Sequence, residues 1–311
     1  MMNLLRDADS PGFPNDYLIT RIKARRAALV ATWKAVRAHG LTPDISDERI
    51  WEALLSELEW LYGQMNRGLR ERFASVFVLL ELKTIVLCLR NKEAGRATEI
   101  DTLLTHTLLA DSLRRALRDP PDVRSSIAAL IGTTAGALPG LGEAATAYAD
   151  HGLRGFEDSL MRGYLAYTAS TRLHPVILQF IRAFVDMRNV MILYKQLRWG
   201  VEGAGAFIEG GTFELSRLVQ LLESEKPNPW EELAKEATAL KVVPAAASEG
   251  SIETVLLTGL TERLRRIARD KDGVGLILDY IWRIYVHARN LAVLYHAADL
   301  GEATLERELI A

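Results

Sequence analysis

Two polar side chains stand out in the segment Phe184 to Gly200, FVDMRNVMILYKQLRWG, where Asp186 and Asn189 lie three residues apart among apolar neighbours. On a helix that spacing puts an acid and an amide on one face, and Arg182, four residues before Asp186, is placed to pair with it. A carboxylate so placed could act as a general base or a metal ligand. Proton transfer, however, needs a converging cluster in a cleft, and nothing in the sequence gathers one around these residues. The pattern fits a buried polar network that fixes how neighbouring helices meet, with Asn290 as its later counterpart. Arg188 and Lys195, seven residues apart, form a second set. They make a cationic stripe, which is either the wet side of the helix with aliphatic stems over the core or a face for an acidic partner.

Other chemistries find little footing. The six histidines, His39, His106, His151, His174, His287 and His296, show no metal-ligand spacing, so no metal is expected. The glycine-rich stretch GTTAGALPGLG, residues 132 to 142, lacks the lysine and the preceding strand of a phosphate-binding loop and reads as a hinge or linker. DADSP near the start is not an aspartate-rich metal-diphosphate motif. The single cysteine, Cys88, lies in an apolar run and reads as a small buried hydrophobe in a reducing compartment. No catalytic set and no cofactor are expected, and the chain does not read as an enzyme.

The elements that must position these residues come in copies. Sliding Phe184 to Gly200 back 105 residues places it within FVLLELKTIVLCLRNKEAG, Phe77 to Gly95, ending on the same glycine; sliding it forward 101 places it on YVHARNLAVLYHAADLG, Tyr285 to Gly301. The closing glycines Gly95, Gly200 and Gly301 then coincide. The cationic stripe recurs as Lys83 and Arg90 in the first copy and as Arg289 and His296 in the third. Asn290 repeats Asn189, His287 replaces Asp186, and Glu81 with Thr84 stand in the first copy. Apolar residues cover most of the circumference of the segment as a helix, so it must be a central one packed by several neighbours.

In chain order, residues 1 to 14 read as a loose arm, followed by a basic helix from Tyr17 to His39 behind Asp16. That helix carries Arg21, Lys23, Arg25, Arg26, Lys34 and Arg37, and its basic face is either solvated or docks a partner. Ser46 opens a helix through Tyr62, the long first-copy helix runs from Leu69 to Asn91, and one amphipathic segment spans Asp101 to Leu117. Thr212 is a candidate helix cap, corresponding to Thr107 at an offset of 105; PNPW starts another short helix, and Lys241 to Gly250 is a linker. The expected division is an arm and basic helix over 1–44, and helical repeats over 45–143, 144–247 and 248–311, the last one truncated. No alternating strand is visible, so the fold class is all-α.

Composition sets further bounds. A chain of 311 residues with 38 basic and 40 acidic side chains has no surplus of positive charge for wrapping nucleic acid. Its most apolar segment, Ser75 to Leu89, is interrupted by Glu81 and Lys83 and is too short for a membrane span, which takes about 20 apolar residues. Any membrane association is therefore expected to be peripheral.

The order and spacing of FVDMRNVMILYKQLRWG at 184 to 200, GGTFELSRL at 210 to 218 and YVHARNLAVLYHAADLG at 285 to 301 resemble the C subunit of V/A-type rotary ATPases, the family of the V-ATPase d subunit. DYLITRIKARRAAL, with Tyr17, Arg21, Arg25 and Arg26, is similar to that family's opening helix. The resemblance implies three helical repeats about a pseudo-threefold axis, forming a funnel or socket. It implies a coupling role between the membrane rotor ring of c/K/L proteolipid subunits and the central shaft of subunits D and F. It also implies a cytoplasmic place, peripheral to the inner membrane, with no nucleotide site in this subunit. The chain departs from the family pattern at His287, where an acid is common, at Ala292, where Arg is common, and at Lys195, where Arg is usual. A stand-alone helical scaffold or ligand-binding module built from the same repeat is the rival expectation.

Overall fold

Several helices in this chain begin where a short polar side chain takes an unpaired amide. Ser46 accepts from the Arg49 N–H at 3.3 Å and opens α2, Asp47–Gln64. Asn66 accepts from the Leu69 N–H at 3.0 Å and opens α3, Arg67–Glu93. Two of the long helices are followed by left-handed glycines: Gly95 just beyond α3 has φ 69°, and Gly200, closing α8, has φ 56°. Gly301, the third glycine of the set, lies outside the described residues.

The structure is a computed structural model that describes residues 2–8, 10–39, 46–134, 136–200, 206–224, 228–238, 249–269, 273–296 and 308–310. Its order is α1 (Asn15–His39), α2, α3, α4 (Ala97–Thr105), α5 (Asp111–Arg118), α6 (Val123–Thr134), α7 (Leu141–Ser170), α8 (Pro175–Trp199), α9 (Leu215–Leu222), α10 (Trp230–Thr238), α11 (Glu249–Ile267) and α12 (Val274–His296). Among the described residues there is no strand, only isolated bridges at Leu5–Leu109 and Phe13–Met65. The fold is all-α. No described helix is long and apolar enough to cross a membrane.

Helix packing divides the chain into two compact units, Met1–Ala27 with Thr42–Thr168, and Ala28–Leu41 with Ala169–Ala311. In the first, α3 is buried on nearly all sides from Leu69 to Leu89, against α4, α5, α6 and the N-terminal turn Met2–Leu4. A helix surrounded in this way has to be apolar around its circumference. The arm expected to be loose is instead packed. Leu4 and Leu5 are buried, the Arg6 N–H donates to the Leu108 carbonyl at 2.8 Å, and the Ala110 N–H donates to the Leu4 carbonyl at 3.0 Å. The buried Arg70 guanidinium donates to the Tyr62 and Ser10 carbonyls and ties the arm further.

The stretch 132–142 is packed into the first unit rather than acting as a linker. Leu138 and Leu141 are buried, and the Gly140 and Gly163 backbones approach so closely that neither has space for a Cβ. Within α7 the helix breaks at Gly152, with φ 64° and ψ −157°. In the second unit α8 packs on α10, α11 and α12, and α11 on α12. Trp282 sits edge-on to Phe180 at 6.0 Å and to Phe184 at 6.4 Å, while its indole N–H donates to Thr261 Oγ1 at 2.8 Å. The linker expected over Lys241 to Gly250 lies almost wholly outside the described residues.

Candidate functional site

α3 and α8 each carry one buried acid that faces the backbone of a later segment. Glu81 on α3 accepts from Thr107 Oγ1 at 2.7 Å with one oxygen and from the Leu108 N–H at 2.6 Å with the other. Asp186 on α8 accepts from the Thr212 N–H at 2.7 Å and the Phe213 N–H at 3.2 Å with one oxygen, and from Thr212 Oγ1 with the other. The partners stand at the same offset of 105 residues as the acids themselves. Each acid thus clasps the segment that follows its own helix, which is a narrower role than setting how helices meet.

These clasps explain two differences from the sequence expectations. Asp101 to Leu117 is two helices, α4 and α5, because Thr107 and Leu108 between them are held out by Glu81. Thr212 does not cap a helix, because its hydroxyl and amide are both given to Asp186; α9 begins after Glu214 with no side-chain cap bond. Arg182 is exposed, and the described contacts hold no pair between it and Asp186, whose oxygens are taken by the 212–213 segment.

A second clasp uses amides. Asn189 donates from Nδ2 to the Ile208 carbonyl at 2.9 Å and accepts from the Ile208 N–H at 2.8 Å. Asn290 on α12 does the same with Ile310, at 2.8 and 3.0 Å. A primary amide offers a donor and an acceptor side by side, so it satisfies both main-chain groups of one residue, as a neighbouring strand would. At the first-copy position Thr84, also buried, has no such amide.

Burial governs the electrostatics. Desolvation pushes the carboxyls of Glu81 and Asp186 up from their ordinary values, opposed by the hydrogen bonds each accepts. His287, in the place of Asp186 on α12, is held below its ordinary value by burial and packs edge-on against Trp33 at 5.9 Å. The Cys88 thiol is buried and pushed up to about 12, the signature of an inert side chain. No three described His, Cys, Asp or Glu side chains are grouped so as to hold a metal ion.

The residues of the cationic stripe make different contacts within their own units. Lys83 places Nζ 3.2 Å from the centre of the Trp51 ring, and Arg90 pairs with Glu157. Arg289 donates to the Glu308 carbonyl at 3.0 Å. Arg188 is half-buried; burial pushes the nearby Tyr285 hydroxyl up from its ordinary value, and the charges of Arg289 and Arg188 only partly oppose it. Lys195 is half-buried, while His296 is exposed with its ring 5.1 Å from that of Tyr295. The copies use equivalent cations for different local contacts.

Two features went unread in the sequence. His106 Nδ1 lies 2.6 Å from Glu59, which also pairs with Arg6. Trp60 carries the guanidinium of Arg25 at 3.7 Å and that of Arg21 at 5.2 Å. The first joins three distant stretches, and only folding could show it. The second had a signal in the regular spacing of Arg21 and Arg25 on one face.

Compared with known families, the chain matches the model described as ATP synthase (C/AC39) subunit over residues 32–305. No curated protein matches it.

Proposed function

The chain belongs to the ATP synthase (C/AC39) subunit family, and from that premise we propose that it is a non-catalytic adaptor in a V/A-type rotary ATPase. In this reading it joins the membrane rotor ring of proteolipid subunits to the central shaft formed by subunits D and F, at the cytoplasmic face of the membrane. The family match over residues 32–305 carries the proposal. The use made of the buried acids supports it: Glu81 and Asp186 direct their oxygens to the chain's own backbone, a structural employment.

We read 45–143, 144–247 and 248–311 as three versions of one helical unit. The acid clasps at Glu81 and Asp186 and the amide clasps at Asn189 and Asn290 support that reading. An adaptor that transmits torque has to hold its segments in register, and clasps buried from water resist slippage between a helix and the segment that follows it. The test is assembly. Co-expressed with subunits D and F, the chain is expected to purify with them, and to join the detergent-solubilised ring. Failure to bind either one would overturn the proposal.

A further inference from the structure

The basic residues of α1 take no part in the clasps. From Asn15 to His39 the helix carries Arg21, Lys23, Arg25, Arg26, Lys34 and Arg37 against a single acid, Asp16, in a chain whose net charge is −2. Its first half is anchored by the buried Leu18 and Ile22, and Tyr17 beside them is 48% exposed. Arg21 and Arg25 both lie over Trp60 of α2, but they are held differently. Arg25 also pairs with Glu57, so its charge is answered within the chain. Arg21 donates to the neutral Gln64 Oε1 at 2.6 Å and lies 5.7 Å from the Tyr17 ring and 5.2 Å from the Trp60 ring.

None of the described contacts of Arg21 is to a carboxylate. Two rings and an amide fix the guanidinium in place without cancelling its charge. Four of its five N–H donors remain after the Gln64 bond, in a rigid fork that matches a carboxylate. A positioned arginine between a tyrosine and a tryptophan also has the residue types that dominate protein interfaces.

We propose that this face of the first unit, built from Tyr17, Arg21 and Trp60, docks an acidic segment of another subunit of the complex, with Arg21 binding one of its carboxylates. The inference rests on the assembly reading above. The partner is a protein segment rather than an anionic lipid surface because the Gln64 bond and the two rings hold the Arg21 guanidinium at one place. A bilayer surface rewards flexible cations beside a broad apolar face, and the large exposed apolar side chains at this end of α1 are Phe13 and Tyr17.

The test uses the whole complex, purified in detergent through the D subunit, with this chain's molar share measured for wild type, Arg21→Glu and Arg21→Lys. A thermal melt of each isolated chain checks that the substitution leaves the fold intact. Arg21→Glu is expected to lower the share about tenfold, and Arg21→Lys to lower it less, since charge is kept while the fork is lost. The wild-type share is expected to fall as salt rises. An Arg21→Glu share equal to that of wild type would overturn the docking face and leave the assembly reading intact. So would Arg21-dependent binding to phosphatidylserine-rich vesicles with the share unchanged, which would assign the face to lipid. A wild-type chain absent from the complex would overturn the assembly reading, and this inference with it.

Discussion

Asp186 in one unit and Glu81 in the other close the same kind of clasp with side chains that differ by one methylene, and the surroundings differ accordingly. The shorter Asp186 draws the trailing segment close enough to take two amides and a hydroxyl. Gly211, immediately before Thr212, has no space for a side chain: a Cβ there would collide with Asp186 Oδ1 and crowd Val185. The longer Glu81 reaches one amide of the trailing segment and the hydroxyls of Thr107 and, on its own helix, Thr84. The position equivalent to Gly211 is His106, whose ring turns to Glu59. The neighbouring position is glycine beside the shorter acid and carries a hydrogen-bonded histidine beside the longer one.

The comparison breaks most sharply at the acids. Asp186→Ala takes the acceptor from the part-buried Thr212 amide and the buried Phe213 amide, at an expected cost of about 3 kcal/mol. Glu81→Ala, which strands only one amide, is expected to cost about 2 kcal/mol beyond its cavity. Urea titrations of the two variants measure both, and equal losses would refute the distinction. Next comes the position before the clasp. Gly211→Ala is expected to cost about 2 kcal/mol through overpacking, while His106→Ala gives up a half-exposed pair with Glu59 and costs about 0.5 kcal/mol.

The pH dependence separates Asp186 from its counterpart His287. Burial raises the folded carboxyl of Asp186 above its ordinary value of 3.8, so in the window just above that value the folded form holds the extra proton. Its contribution to stability is therefore lost as pH climbs through that window, and Asp186→Asn is expected to flatten the trend. His287 is held below its ordinary 6.5, so the unfolded form holds the extra proton and stability is lost as pH falls below 6.5. His287→Gln is expected to remove that loss, as followed by thermal melting of the second unit across the acid range. Smallest of all is Arg90→Ala. Its pair with Glu157 is exposed, and the expected change in the urea midpoint corresponds to about 0.5 kcal/mol or less.

Much of this was legible in the residues. The offset of 105 that aligns the long helices also aligns Glu81 with Asp186 and Thr107 with Thr212, so the ends of both clasps stood at matching positions before folding joined them. What spacing along one helix could not show was the direction of each polar side chain. Arg182 lies one turn from Asp186, and helical geometry alone favours the pair, yet Asp186 faces the 212–213 segment and Arg182 faces solvent. Similarly, Thr212 has the composition of a cap and was drawn away by a stronger acceptor.

The sequence by itself determined the all-α class, the start of α2 at Ser46, the stops of α3 and α8 at the turning glycines Gly95 and Gly200, and the central, all-round apolar character of α3 and α8, since those depend on local caps and period. Only the tertiary structure decided which polar groups meet. Whether Lys83 lies over Trp51, Arg21 between two rings, or Glu81 against the Leu108 amide depends on residues far apart in the chain arriving at one place. A buried polar group takes the best partner that packing brings within reach, whatever stands beside it in sequence.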